Sequence, residues 1–151
     1  MGTRAVIWAD MEAWAVDYLA RCLFLAEPEH PEAVDVMVRN RVPTERQGDD
    51  WPASQRLVVC RDDGGQWQGD VRAEVRMGFQ VWAETHEVAT DLARLLTAYL
   101  GAAEGDGPIR RASPARAYTV SDEEGRPKRY LTAQFTIRGD QLDAPLPAPP
   151  E

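Results

Sequence analysis

Residues 72–83 read Arg72-Ala73-Glu74-Val75-Arg76-Met77-Gly78-Phe79-Gln80-Val81-Trp82-Ala83. Ala73, Val75, Met77, Phe79, Val81 and Ala83 alternate with Arg72, Glu74, Arg76, Gly78, Gln80 and Trp82. A period of two sends alternate side chains to opposite faces of a strand. The first set is therefore expected against a core and the second, Trp82 included, outward. The period then changes. Over residues 85–100, Val88, Leu92, Leu95, Leu96 and Tyr99 recur at helical spacing and form one apolar face. Thr85 is placed to cap the start of this helix, and Gly101 suits the left-handed position that ends one.

On the N-terminal side, residues 10–25 read as a helix, with Val16, Leu19, Ala20 and Leu23 at helical spacing. Asp10 can cap it, and Asp17 with Arg21 makes an i,i+4 pair. Pro28 and Pro31 stop it. Residues 34–39 alternate Val34, Val36 and Val38 with Asp35, Met37 and Arg39, as a half-buried strand does. The polar stretch 43–52 is a loop, and 56–61 a short strand. Residues 62–70 hold Gly64, Gly65 and Gly69 around Trp67 and read as an exposed hairpin loop.

On the C-terminal side, an acidic linker at 102–108 leads to short strands at 109–113 and 117–120. A turn at 121–129, with Gly125 and Pro127, precedes a strand at 130–137 that turns Leu131, Ala133, Phe135 and Ile137 inward. The expected order is α, β, β, β, α, β, β, β. This is an α+β fold: a mixed, mainly antiparallel sheet of about five to six strands, with two main helices packed on one face. Residues 1–139 form the domain. Residues 140–151 form a tail whose four prolines bar a helix or a central strand.

The chain has 151 residues, enough for one core. Its formal net charge of -8 repels phosphate and argues against wrapping nucleic acid. No run is long and apolar enough to span a bilayer, and the start lacks a secretory leader pattern, so synthesis and retention in the cytoplasm are expected. Cys22 and Cys60 sit in apolar runs without a CxxC partner and read as buried thiols.

Catalytic patterns are missing. His30 and His86 have no second histidine or cysteine at metal-ligand spacing. There is no GxSxG, HExxH, GxxxxGK[ST] or GxGxxG sequence. Acidic pairs occur at Asp49 with Asp50, Asp62 with Asp63 and Glu123 with Glu124, where adjacent loop carboxylates are ordinarily just solvated. Arg110, Arg111 and Arg116 make a small basic cluster, ordinarily a solvated strand edge. No enzyme activity, metal or cofactor is expected. Tryptophan buries much area at little entropic cost, so Trp67 and Trp82 are candidate contacts with another protein.

Four features together resemble the tail terminator proteins of long-tailed phages. A short helix precedes Val34-Asp35-Val36-Met37-Val38 and a proline turn. A strand ends in Val81-Trp82-Ala83-Glu84. The helix containing Glu87-Val88-Ala89-Thr90-Asp91-Leu92-Ala93-Arg94 follows at once. The turn Asp122-Glu123-Glu124-Gly125-Arg126-Pro127 leads into the strand from Tyr130 to Gly139. The resemblance covers roughly residues 8–139 and is one of pattern and order.

The resemblance implies a virion protein made in the host cytoplasm. Such proteins form a homo-oligomeric ring, usually a hexamer, on the head-proximal end of the tail tube. The ring stops the tail tube protein from polymerising and meets the head–tail connector protein. DNA passes through its lumen without sequence-specific binding, which an acidic surface would favour. No catalytic residue or cofactor is carried over, and no membrane is involved. The docking elements expected on this basis are the loop with Asp62, Asp63, Trp67 and Asp70, the outward Trp82, and the turn with Asp122, Glu123, Glu124 and Arg126. Another neck protein, a tail tube subunit and a small enzyme remain as alternatives.

Overall fold

A computed structural model describes residues 5–43, 51–69 and 71–148. Asp70, the Asp49 and Asp50 pair, and the last two prolines lie outside the described residues. The element order is β1 (Val6–Ile7), α1 (Met11–Ala26), a 3-10 turn (Pro31–Ala33), β2 (Met37–Arg39), β3 (Leu57–Trp67), β4 (Arg72–Trp82), α2 (His86–Gly101), β5 (Ile109–Pro114), β6 (Tyr118–Thr119), β7 (Lys128–Arg138) and β8 (Asp140–Gln141).

The main sheet runs β2-β3-β4-β7-β5, and β6 also pairs with β7. Its centre is the β4–β7 ladder, unbroken from Arg72 opposite Arg138 to Trp82 opposite Lys128. All pairings are antiparallel except β2 with β3, so the sheet is mixed and mainly antiparallel, as expected. Both helices cover one face. Met77, Phe79, Leu131 and Phe135 of the sheet meet Leu19 and Leu23 of α1 and Leu92 and Leu96 of α2 in one buried cluster. Burying each of these large side chains stabilises the fold by about 2 kcal/mol before entropy is charged against it.

The helix ends follow from local chemistry. The Asp10 carboxylate accepts from the Ala13 N–H at 3.0 Å, and the Thr85 hydroxyl from the Val88 N–H at 3.1 Å. Each satisfies an N–H that has no partner within its helix. The other end of α2 departs from expectation. Gly101 is the last helical residue and is not left-handed; the positive φ values fall on Gly105 and Gly107. The Ala102 N–H closes the helix on the carbonyls of Ala98 and Tyr99.

Three segments differ from the sequence reading. The expected strand at 34–39 is only Met37–Arg39, because Asp35 takes a φ of 55° and bends the chain ahead of it. The expected loop at 62–70 is largely strand. β3 continues to Trp67 through a bulge, where Asp63 and Gly64 together oppose Arg76 and Gly64 takes a φ of 91°. Glycines that suggested a loop instead permit the bulge, since a Cβ on Gly65 would collide with the backbone of Glu74 and Val75. Finally, Val6 and Ile7 pair with Gln141 and Asp140 in a two-stranded sheet that the sequence did not suggest.

Candidate functional site

The predicted contact residues are spread along the β4–β7 ladder. Near the Trp82 end lie Trp82, Asp122, Glu123, Glu124 and Arg126. Trp67 of the β3–β4 hairpin lies at the other end, opposite Ala73, while Asp62, opposite Met77, and Asp63 sit beside the middle of the ladder.

Trp82 is not outward in the sense of free. It is 2% exposed. The sheet face turned away from the helices carries a second small core of Leu57, Val59 and Trp82, covered by Met37, Val42 and Trp51. Period two correctly puts Trp82 on the face opposite the helices, but that face is itself covered there by Met37, Val42 and Trp51. Trp51 meets Trp82 edge-on at 5.3 Å between ring centroids. The Arg126 guanidinium lies over the Trp51 ring at 3.9 Å, and the Lys128 ammonium over Trp82 at 4.7 Å.

Asp122 organises the turn beside this cluster. One carboxylate oxygen accepts from the Trp82 indole N–H at 3.0 Å; the other accepts from the backbone N–H groups of Glu124 and Arg126. Burial pushes the Asp122 carboxyl up. The Trp82 bond and the two backbone N–H bonds outweigh it, and the group sits below its ordinary value. Gly125, at a φ of 72°, closes the turn. Glu123 and Glu124 point to solvent.

Along the hairpin, residues 61–69 are all exposed. The Asp62 carboxylate accepts from the Gly64 N–H at 2.7 Å, and the Asp62 N–H donates to Glu12 at 2.9 Å, which ties the bulge to α1. Trp67 is 52% exposed, packs edge-on to Trp8 at 5.5 Å and donates its indole N–H to the Gly69 carbonyl. Asp63 reaches across the outer face to Tyr130. Burial first, then the Asp63 charge, raises the Tyr130 hydroxyl above its usual value.

Other polar features do structural work. Asp106 accepts from the Trp14 indole at 3.0 Å and from Arg21 at 3.1 Å. The Arg56 guanidinium bonds Glu84, the Pro31 carbonyl and the Val34 carbonyl, and its bond is the main reason the Glu84 carboxyl lies below its usual value. Both cysteines are buried and free. Burial raises the Cys22 thiol and pushes that of Cys60 up to about 12, so neither is a ready nucleophile at neutral pH. Among the described residues, no three histidine, cysteine or acidic side chains gather to hold a metal, and no helix is long and apolar enough to cross a membrane. An open cleft of about 750 Å³ beside β8 has Arg110, Arg138 and Asp140 in its lining. Arg116 lines a different groove, so Arg110 and Arg116, read as one cluster, do not share a cleft.

Sequence reasoning missed Trp51 and Lys128 as neighbours of Trp82, and Tyr130 as the partner of Asp63 on the same face. Lys128 and Tyr130 sit at alternate positions with Thr132, and that alternation was the available signal. Trp51 lies in an irregular segment that offers none.

No protein-family model matches the chain, and no curated protein does. Among solved structures, a chain in the virion of a native gene transfer agent particle is similar. The match is 16% identical, covers 87% of this chain and 98% of that chain, and has a TM-score of 0.56. At that identity the likeness is one of fold, and it spans nearly the whole of the virion chain.

Proposed function

We propose that this chain is a structural component of a phage-like virion, and that it forms a ring capping the head-proximal end of the tail tube. The observation that carries the reading is the shared fold with a virion chain over 98% of that chain's length. The resemblance in pattern to tail terminators supplies the finer assignment. The surface fits assembly better than catalysis. The exposed Glu123 and Glu124 of the Asp122 turn and the exposed Trp67 of the hairpin lie towards opposite ends of the sheet, which leaves separate surfaces for two different neighbours. A protein that stops growth needs unlike faces, one for the tube and one for the connector, and a repeated heterologous contact that closes into a ring. Exposed Glu104 and the hairpin carboxylates add to a surface along which DNA slides without sticking. Asp106 does not join them, because Trp14 and Arg21 occupy its carboxylate.

The test is electron microscopy of tails assembled with and without the protein. Tails of fixed length carrying it only at the head-proximal tip are expected, with overlong tubes in its absence. Tails that keep their length and cap without it would refute termination. A neck connector is then the reading that remains, whereas protein distributed along the whole tube marks a tube subunit.

A further inference from the structure

An open groove of about 440 Å³ runs between α2 and the β6–β7 edge, lined by Thr90, Ala93, Arg94, Thr97 and Ala98 on the helix and by Arg116, Ala117 and Arg129 on the sheet side. Two features set it apart on a chain of net charge -8. It gathers three arginines, and no ion pair joins Arg94, Arg116 or Arg129 to a carboxylate among the described residues. The Nε of Arg129 is buried with no hydrogen-bond partner, and an orphaned buried donor of this kind costs free energy until something accepts from it. The rest of the lining is apolar in effect. The Thr90 and Thr97 hydroxyls are turned back onto the helix carbonyls of His86 and Ala93, and ask nothing of an occupant.

The chain carries a segment of the opposite character. After β8, which begins with Asp140, come Leu142, Asp143, Ala144, Pro145, Leu146, Pro147 and Ala148. Residues 143–148 form no regular structure and are exposed, and Leu146 is 56% exposed. This tail leaves the sheet after Arg138, whereas Arg129 lies near the other end of β7. At about 3.4 Å per residue the two are roughly 30 Å apart. The described tail lines no part of its own subunit's groove. Groove and tail are thus unlike surfaces at opposite ends of one molecule, as a heterologous contact requires.

We infer that the groove between α2 and the β6–β7 edge receives the acidic, proline-rich tail of a second copy of this chain, the Asp143 carboxylate meeting the arginines and Leu146 lying against Ala98 and Ala117. The inference rests on the ring reading above and names its subunit contact. The prolines hold the tail extended before it docks, which lowers the entropic cost of ordering it.

The test uses full-length chains. One carries Ala98→Cys, and the other carries Leu146→Cys with an added tag that shifts its mass. They are mixed with tube protein and oxidised, and non-reducing gels read the tagged–untagged disulfide while microscopy of the same samples reads rings on tails. The native cysteines are buried and stay silent. The mixed disulfide is expected, and Arg94→Glu with Arg116→Glu should cut its yield by about tenfold or more. Asp143→Arg in the tail partner should restore it. Rings without the mixed disulfide would overturn the tail contact and leave the ring reading standing. A mixed disulfide without rings would keep the contact and refute the ring. A disulfide indifferent to both charge reversals would overturn the groove as its site.

Discussion

The indole N–H of Trp82, at the end of β4, donates to the carboxylate of Asp122 at 3.0 Å, forty residues away in the turn before β7. The indole is buried, so removing its acceptor leaves an unsatisfied donor in a covered site, a loss of about 1–3 kcal/mol. Asp122→Ala is expected to destabilise the protein by that amount in chemical denaturation followed by tryptophan fluorescence. The sign of the pH dependence follows from the lowered carboxyl. Its contribution is fully present above the ordinary carboxylate value of about 4 and is lost as pH falls through the lower folded value. The stability gap between parent and variant should therefore hold from about pH 5 to 8 and narrow only in stronger acid. A gap independent of pH down to acid unfolding would show that Asp122 contributes shape and not charge.

Gly78 and Tyr130 make a second prediction. The Tyr130 ring and the Asp63 carboxylate lie over Gly78 so closely that an added Cβ would come within 3.0 Å of the ring and 2.9 Å of the carboxylate oxygen. Gly78→Ala should cost about 1–3 kcal/mol by overpacking. In the background of Tyr130→Ala the same substitution should cost less, because only the Asp63 carboxylate then remains in the way. Equal costs in both backgrounds would place the strain in the backbone.

Arg56 joins the 3-10 turn to the start of α2 through two carbonyls and Glu84, whose nearest contact is 2.7 Å. A lysine cannot reach three acceptors from one planar head. Arg56→Lys is expected to lose about 1–2 kcal/mol, and Arg56→Ala only slightly more. Thermal melts of the two variants check this. If lysine restores the parent Tm, the fork geometry is irrelevant.

How far the fold could be read from sequence follows from how local each signal is. The alternation at 72–83 and 130–137 and the helical stripes at 10–25 and 85–100 are local patterns, and the elements formed where they lie. The continuation of β3 through Asp62 and Gly65 was illegible, because a bulge and a loop ask for the same glycines. The burial of Trp82 depends on Met37, Val42 and Trp51, which are far away in sequence, and no periodicity within 72–83 records what covers its outer face. For the candidate site, the turn at Asp122 was visible as a turn, while its bond to Trp82 was not, since spacing carries no information about which loop closes on which strand.

The same distinction separates folding from docking in that turn. Asp122 accepts three hydrogen bonds within the chain, whereas the side chains of Glu123 and Glu124 point to solvent. Reversing surface charges that touch nothing changes stability by no more than about 0.5 kcal/mol. Glu123→Lys with Glu124→Lys should therefore leave the melting curve of the isolated chain unchanged. If the turn meets a neighbour in the assembled tail, the double variant should enter tails several-fold less than the parent when both compete in one reaction, because a reversed charge at a complementary rim slows association. Equal incorporation would remove this turn from the docking surface and leave the hairpin around Trp67 as the element to test.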